Sequence, residues 1–385
     1  MSKNSIIKNR KKLLQSVAAD ARELALDLFE TGISATLPEK AMRRHLEVEN
    51  ELLFVDRKKY DLTEFDRILV LGGGKASLRM ALSLEETLGQ RIDDGLVIVK
   101  SNRGEDQPDR IEVKEGSHPL PEARGLRATE ELLKKARSAD EKDLVICLIS
   151  GGGSALLASP GPGIGLEDIR VLTEVLLESG ASIDEINALR KTVSGIKGGK
   201  LARSIHPATT LSLIASDVVG DDLRYIASGP TVPDNSGSED ALEVIRKNDL
   251  EKDVPGSVMG GLRGRGRKKL EGPVSEKEFS DFNVTNRIIV SNETALSAIA
   301  EEAEAKNISS IVLSSRLEGE SKQLGKLFGQ LAKSIHEEER PLSRPGLLLS
   351  GGEATVTLSG GNGKGGPNQE FTSLPPWRFE VYLKQ

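Results

Sequence analysis

The stretch DLVICLISGGGSALLASPGPGIG, residues 143–165, determines how the rest of the sequence is interpreted. Its apolar run over 144–149 is typical of a strand buried on both faces, as in a parallel sheet. The run leads directly into Ser150, Gly151, Gly152, Gly153 and Ser154. Three glycines allow a sharp bend that directs several N–H groups at one anion, such as a phosphate or carboxylate. Because ligands of open α/β sheets bind beyond the carboxyl ends of the strands, this turn predicts a binding site.

A polar or glycine-rich turn follows a predicted strand at three other places. These turns are 72–75, 217–222 and 351–353, and they follow strands predicted over 67–71, 210–216 and 346–350. Each turn alone is also compatible with an ordinary tight turn that binds nothing. Four such turns in one chain, each directly after a buried strand, favour a ligand site at the carboxyl ends of the strands.

The remaining sequence alternates predicted helices and strands, which indicates an α/β fold. A chain of 385 residues is expected to form two domains. We predict two lobes, each a mostly parallel sheet flanked by helices, with the active site in the cleft between them. The predicted domains are 1–255 and 281–385, both α/β, joined by an exposed glycine-rich and basic connector over 256–280.

Composition limits the classes of partner. The net charge of −6 and the pI near 5.6 argue against nucleic acid. The single cysteine, Cys147, lies in the predicted buried strand, so neither a disulfide framework nor a cysteine metal site is expected. No apolar run approaches the roughly 18 residues of a membrane span. We therefore expect a cytoplasmic protein with a small-molecule partner, without nucleic acid or membrane, and compatible with a homodimer.

Two side chains at the predicted strand ends are candidates for chemistry. Lys75 follows three glycines at the start of a predicted helix, where a phosphate would be stabilised. The alternative for Lys75 is a solvated lysine. Asp217 follows a buried strand and could hold Mg²⁺ or accept a proton from an attacking hydroxyl. The alternative for Asp217 is a helix N-cap.

A basic segment provides further candidates. Arg190, Lys191, Lys197 and Lys200 lie among glycines and small residues, and four cations there would suit an anionic substrate or a polyphosphate. The alternative is an ordinary basic surface. His118 precedes a proline, and we predict a structural loop role for it because no partner ligands at metal spacing are evident.

Two common nucleotide motifs do not match. The run GIKGGK over 195–200 is one residue short of a P-loop and is followed by Leu201. Gly72 and Gly74 begin a dinucleotide fingerprint, but Ser77 occupies the position of its third glycine. The next predicted strand ends in Lys100, Ser101 and Asn102, without a carboxylate for the ribose, which lowers the case for an NAD-dependent enzyme without removing an NADP-dependent one.

Seven segments together resemble the glycerate 2-kinase family, whose members carry a C-terminal MOFRL domain. The matching segments span most of the chain in order. They are GGGKA (72–76), SHPLP (117–121), ISGGGSALL (149–157), INALRKTVSGIKGGKLA (186–202), SDVVGDD (216–222), ASGPTVPD (227–234) and SGGEATVTLSGGNGKGGPNQE (350–370).

The resemblance implies ATP-dependent phosphorylation of the 2-hydroxyl of D-glycerate with Mg²⁺. It implies catalytic roles for Lys75 and Asp217, to which we add Arg190, and Asp217 is also the candidate magnesium ligand. Because relatives are often labelled hydroxypyruvate reductases, NAD(P)H-dependent reduction of hydroxypyruvate is the alternative. The residues predicted to bind nucleotide or phosphate are Gly73, Gly74, Ser150, Gly151, Gly152, Gly153, Ser154, Lys197, Lys200, Gly352, Glu353 and Asn368.

The family resemblance ends at Glu370. The last residues, FTSLPPWRFEVYLKQ over 371–385, hold four of the twelve aromatic residues. We interpret the C-terminal domain as truncated after 370, with a poorly packed tail and a second lobe less stable than the first. A folded but inactive binding protein is therefore a further alternative.

Overall fold

The computed structural model describes residues 6–15, 19–102, 104, 106–264, 270–358 and 365–372. The strands are β1 (Leu46–Glu49), β2 (Leu52–Val55), β3 (Lys58–Asp61), β4 (Arg67–Gly73), β5 (Asp94–Val99), β6 (Glu112–Glu115), β7 (Asp143–Ser150), β8 (Thr209–Ala215), β9 (Val284–Val290), β10 (Ser309–Glu320) and β11 (Gly346–Thr355). The helices are α1 (Arg10–Leu13), α2 (Ala19–Ala35), α3 (Pro38–His45), α4 (Ser77–Leu88), α5 (Ala123–Ala136), α6 (Gly153–Leu156), α7 (Leu166–Glu178), α8 (Ile183–Thr192), α9 (Lys200–Ile205), α10 (Ser238–Lys247), α11 (Gly256–Leu262), α12 (Glu276–Phe279), α13 (Asn292–Ala305), α14 (Ser321–Glu338) and α15 (Pro367–Thr372).

The main sheet has six strands in the order β6-β5-β4-β7-β8-β9, and every neighbouring pair is parallel. From β4 the chain proceeds through β5 and β6 to one edge of the sheet. It then returns to β7, beside β4, and proceeds through β8 and β9 to the other edge. The strand order therefore reverses between β4 and β7, which is the topological switch point where doubly wound sheets bind ligands.

Strand β7 is the centre of the core. All eight of its residues are buried. Leu144, Ile146 and Leu148 belong to one apolar cluster, whereas Val145, Cys147 and Ile149 belong to another. This alternation with a period of two places apolar side chains on both faces of the sheet. The prediction of a doubly buried parallel strand is confirmed.

The described residues form two compact units, which divide the chain differently from the predicted domains. One unit is Ala41–Val290, and the other combines Met1–Lys40 with Ser291–Gln385. Helices α2 and α13 pack together in the second unit; Gly32 permits this, because a Cβ there would lie 2.6 Å from Cδ1 of Ile299. The predicted boundaries overlooked this pairing of the two ends of the sequence.

The predicted exposed connector over 256–280 is wrong for its described residues. Helix α11 lies within it, and Val258, Leu262 and Leu270 are buried in an apolar cluster with side chains of α7, α8 and α10. Burial of each of these three side chains stabilises the fold by about 1.5–3 kcal/mol. This stabilisation outweighs the tendency of the glycines to form an exposed loop. Residues 265–269 of this segment lie outside the described residues.

In the second unit, β10 and β11 pair in parallel, so the predicted parallel sheet is confirmed for the part that is described. The predicted turn at 351–353 is wrong, because β11 continues to Thr355 and Gly352 and Glu353 pair with Leu317 and Glu318 of β10. Phe371 lies in α15, and its ring packs edge-on against that of Phe328 at 5.3 Å. The rest of the predicted tail, 373–385, lies outside the described residues.

Candidate active site

The glycines after β4 allow close packing at the switch point. A Cβ on Gly72 would lie 2.2 Å from the carbonyl oxygen of Leu148, and one on Gly74 would lie 2.0 Å from Oγ of Ser150. Real Cβ atoms do not approach other atoms so closely, so only glycine lets β4 and its turn lie against β7. Close packing of β4 against β7 therefore explains why Gly72 and Gly74 are glycines, and no bound ligand is needed for that explanation.

The backbone N–H groups of the first turn are used inside the protein. Gly73 pairs with both β5 and β7, and the N–H of Gly74 donates to the Ile98 carbonyl at 3.0 Å. The N–H of Lys75 donates to the Gly151 carbonyl at 2.8 Å. The predicted phosphate contacts of Gly73 and Gly74 are therefore not supported, because these groups hold the turn in place.

Ser150 also has a structural role. Its side chain is buried, and Oγ accepts a hydrogen bond from the N–H of Ala76 at 3.0 Å and lies 3.3 Å from Oγ of Ser77. The hydroxyl joins the end of β7 to the start of α4. The predicted phosphate contact of Ser150 is therefore not supported either.

In the second glycine turn, unlike the first, the backbone N–H groups are not used inside the described part of the protein. Gly152 has φ 81°, a left-handed conformation that favours glycine, and α6 begins at the next residue. In the described part of the chain, the N–H groups of Gly152, Gly153 and Ser154 donate to no protein acceptor. Unpaired N–H groups at the start of a helix suit an anion. The geometry of residues 151–154 is therefore compatible with the predicted binding of an anion, which stays a prediction.

The side chains of Lys75 and Asp217 lie against this turn. A Cβ on Gly152 would lie 3.1 Å from Cε of Lys75, and one on Gly151 would lie 1.9 Å from a carboxylate oxygen of Asp217. Both charged side chains are exposed, and within the described residues neither forms a hydrogen bond or an ion pair. The structure thus places a cation and a carboxylate, which follow two different strands, against neighbouring glycines of one turn.

His118 joins the same site, which the sequence analysis missed. Its Cδ2 would lie 3.2 Å from a Cβ on Gly152. Burial lowers the pKa of His118, and the positive charges of Lys75 and Lys100 lower it further, against an opposing effect of Asp217. A neutral imidazole at pH 7 can both donate and accept a hydrogen bond. The feature that could have indicated a site role for His118 is the segment SHPLP over 117–121, one of the segments that resemble the family.

A cavity of about 350 Å³, which we call the Arg190 cavity, opens beside the turn. Gly152, Ser154, Arg190 and Lys197 are among the residues that line it. The guanidinium of Arg190 has no hydrogen-bond or ion-pair partner in the described chain, and Nζ of Lys197 donates to the Ser154 carbonyl at 2.7 Å. Burial lowers the pKa of Arg190. The two predicted cations therefore face a cavity able to hold an anion.

The protonation of Lys197 gives a testable pH dependence. Burial, and then the charge of Arg190, lower the pKa of Lys197 to about 7. The ammonium is therefore lost as the pH rises through 7, and affinity for an anion in the cavity should fall by about tenfold between pH 6 and 8. Calorimetric titration with sulfate, whose charge is constant over this range, measures the effect. Lys197→Arg, which stays protonated, should show little pH dependence; an equal fall in both proteins would contradict the assignment.

Lys191 and Lys200 are turned inward. Nζ of Lys191 lies 2.5 Å from Oδ2 of Asp234, in a buried ion pair. Nζ of Lys200 lies 3.0, 3.4 and 2.5 Å from the carbonyl oxygens of Lys191, Thr192 and Ser194. It thereby satisfies carbonyls at the end of α8. The predicted phosphate contact of Lys200 is not supported, because its donors are used by the backbone.

Removing the Lys200 ammonium should therefore destabilise the fold. Lys200→Met leaves buried carbonyls without a donor, so the free energy of unfolding should fall by about 1–3 kcal/mol. Urea denaturation measures it. The matched control is Lys134→Met on the exposed face of α5, which should change stability by no more than about 0.5 kcal/mol. A Lys200 variant as stable as this control would show that the ammonium does not support α8.

A strained turn at Ala227 and Ser228 packs against the anion-binding turn, since a Cβ on Gly153 would lie 2.7 Å from Cβ of Ala227. Ala227 and Ser228 are buried and have positive φ values of 50° and 61°. Such conformations cost about 1–3 kcal/mol for residues other than glycine and concentrate at functional sites. Oγ of Ser228 lies 3.0 Å from Oγ of Ser154 and 3.5 Å from Oδ1 of Asn187. The contact with Ser228 thus holds the Ser154 hydroxyl in place, and sequence analysis did not detect the strained turn that provides it.

The remaining predicted residues lie in the other compact unit. Gly352 and Glu353 are in β11, and Asn368 is an exposed residue of α15. Their predicted phosphate contacts stay predictions. Among the described residues there is no group of three or more His, Cys, Asp or Glu side chains placed to hold a metal ion. No described helix is long and apolar enough to cross a membrane.

An electropositive, glycine-lined site at the switch point of a doubly wound sheet defines an α/β enzyme that acts on a small anionic substrate. Comparison with known proteins supports this class. A family model described as a domain of unknown function (DUF4147) matches residues 24–263. A glycerate 2-kinase of Pyrococcus horikoshii is 41% identical over 92% of this chain and 79% of its own length. A D-glycerate 2-kinase of Thermotoga maritima is 35% identical over 91% of this chain and 77% of its own length.

The solved structure of a glycerate kinase from Thermotoga maritima superposes with a TM-score of 0.77 at 33% identity, covering 91% of this chain and 78% of that one. The chain belongs to the glycerate 2-kinase family. The resemblance stated from its sequence motifs and the α/β fold class are both confirmed.

Proposed function

We propose that this protein transfers the γ-phosphoryl group of ATP to the 2-hydroxyl of D-glycerate and forms 2-phosphoglycerate. The observation that carries the proposal is the placement of Lys75 beside Gly152 and of Asp217 beside Gly151 in the same turn. Phosphoryl transfer requires little covalent chemistry from the protein, and its catalysis depends on positioning and on stabilising charge. The unpaired N–H groups of the turn, together with the cation and the carboxylate that lie against it, supply these requirements.

Each group has a definite role in the proposed mechanism. Asp217 orients the 2-hydroxyl and accepts its proton as the oxygen attacks the γ-phosphorus. The new O–P bond forms in line with the breaking bond to the β-phosphate oxygen, and ADP leaves. Lys75 and the N–H groups of 152–154 stabilise the charge that spreads over the phosphoryl oxygens. His118 hydrogen-bonds to substrate oxygens without adding a charge.

The site also fits a magnesium ion. Mg²⁺ in phosphoryl-transfer enzymes is held by one or two carboxylates together with substrate phosphates and waters. Asp217 is exposed on the turn and its carboxylate has no partner among the described residues, so it is available as that ligand. When bound, Mg²⁺ would neutralise charge on the phosphates.

One experiment separates this proposal from its alternatives. The full chain is assayed for ADP formation with D-glycerate, ATP and Mg²⁺, and in parallel for NADPH oxidation with hydroxypyruvate. We expect ADP formation that requires D-glycerate and a divalent metal. Oxidation of NADPH would support the reductase alternative. A relative from Agrobacterium vitis is named a putative hydroxypyruvate reductase, and it is 40% identical over 79% of this chain and 77% of its own length. Inactivity in both assays would favour a binding protein.

A further inference from the structure

The side chain of Asn286 holds one residue of a distant loop through both of its polar atoms. Its Nδ2 group donates to the carbonyl oxygen of Thr231 at 2.9 Å, and its Oδ1 accepts from the Thr231 hydroxyl at 2.7 Å. Thr231 is buried, and Asn286 lies half-buried in β9, an edge strand of the main sheet. Two hydrogen bonds to one residue fix both distance and orientation, so they fasten the loop to the edge of the sheet.

The loop around Thr231 contacts two parts of the candidate active site. The carbonyl oxygen of Ser228 accepts a hydrogen bond from the N–H of Gly198 at 3.0 Å, in the segment that supplies Lys197 to the Arg190 cavity. The hydroxyl of Ser228 lies 3.0 Å from that of Ser154, in the second glycine turn. One short loop therefore contacts both a cationic part of the cavity lining and the turn predicted to bind an anion.

Backbone strain makes this loop dependent on its neighbours. Ala227 and Ser228 have φ values of 50° and 61°, and such conformations persist only where the surrounding structure over-determines them. One support comes from α9, where the N–H of Leu201 donates to the Pro230 carbonyl at 3.1 Å. A second support comes from Asn286 in β9. Without this second support the loop can relax toward ordinary φ values, which would displace the Ser228 hydroxyl from the second glycine turn.

We infer that Asn286 is a positioning residue of the anion-binding site. In this role it contacts no substrate. Through Thr231 it keeps the strained loop in the conformation that holds the Ser154 hydroxyl, and with it the N–H groups of 152–154, in place for an anion. The inference rests on the proposed function, in which the anion is a phosphate of the kinase reaction.

The test compares two asparagines that each bond to a threonine. Asn286→Ala removes both bonds to the loop. Asn283→Ala is the matched control, because Nδ2 of Asn283 donates to the Thr209 hydroxyl at 2.9 Å at the start of β8. Sulfate affinity is measured by calorimetric titration of the full chain at pH 6, where Lys197 is protonated. Asn286→Ala should bind sulfate about tenfold more weakly, because only a fraction of the molecules then holds the competent loop conformation. The control should bind sulfate as the wild type does.

A second substitution separates positioning from simple support of the fold. Glycine adopts a positive φ without strain, so Ala227→Gly should make the loop less dependent on Asn286. Added to the Asn286→Ala protein, it should raise sulfate affinity by about threefold or more. A purely structural role predicts a lower free energy of unfolding in urea with unchanged sulfate affinity. That result, or a folded double variant that binds no better than Asn286→Ala, would overturn the inference.

Variants of Thr231 cover a failure of Asn286→Ala to fold. Thr231→Val removes the hydroxyl bond alone and should weaken sulfate binding, whereas Thr231→Ser keeps the hydroxyl and should bind sulfate more tightly than Thr231→Val. Equal affinity of these two folded variants would overturn the inference, as would a wild type that does not bind sulfate. A wild type that binds sulfate but phosphorylates nothing, while Asn286→Ala weakens sulfate binding, would overturn the kinase proposal and leave the role of Asn286 standing.

Discussion

Replacing Asp217 by asparagine is expected to lower kcat for D-glycerate phosphorylation by about 10²–10⁴-fold, the usual contribution of a general base. Asparagine keeps the shape of the side chain but cannot accept the proton of the 2-hydroxyl, and it is a poorer magnesium ligand. The effect should appear in kcat, since the proton moves in the transition state. Steady-state kinetics over D-glycerate concentration at saturating ATP measure it.

The control for this variant lies four residues away. Asp221→Asn changes a carboxylate in the same loop, and asparagine tolerates the positive φ of 59° that Asp221 adopts. It should retain activity close to that of the wild type. A folded Asp217→Asn protein with a kcat within about threefold of wild type would contradict the role of Asp217, because such a difference is below the smallest effect of a general base.

Replacing Lys75 by alanine should lower kcat by about 10²–10³-fold, the loss expected for one group that stabilises developing charge. The ammonium has no protein partner in the described residues, so its removal breaks no ion pair of the fold. Stability should therefore change little while turnover falls. Lys75→Arg restores the charge but not the reach of the ammonium, and a partial recovery of kcat would separate charge from position.

Lys134→Ala on α5 is the matched control for Lys75→Ala, since it also removes one exposed lysine without a described partner. It should leave kcat unchanged. If Lys75→Ala behaves like this control and remains folded, Lys75 does not act in the chemical step and the anion is held by other groups.

The central fold could be predicted from the sequence because its signals are local. The apolar run of β7 and the glycines that follow it encode a strand and a turn within a dozen residues. The antiparallel strands β1 to β3 were not predicted, since each has only four residues and their alternation is short. The pairing of α2 with α13 joins distant parts of the chain, and no local pattern encodes it.

The site was predictable in its residue types but not in the direction of each side chain. Lys197 and Lys200 are three residues apart in the same basic segment, yet one faces a cavity and the other binds the carbonyls at the end of α8. Ser150 and Ser154 flank the same glycines, yet only Ser154 lines the cavity. These differences depend on which neighbours come from distant parts of the chain, and no local sequence pattern shows them.

The position of the transferred phosphate tests the central claim most directly. D-glycerate and ATP are incubated with the wild-type chain and a divalent metal, and the product is identified by phosphorus–proton coupling in nuclear magnetic resonance spectra. We predict 2-phosphoglycerate, with the phosphorus coupled to the single proton on C2. A product phosphorylated on C3, or no phosphorylated product from a folded protein, would contradict the account.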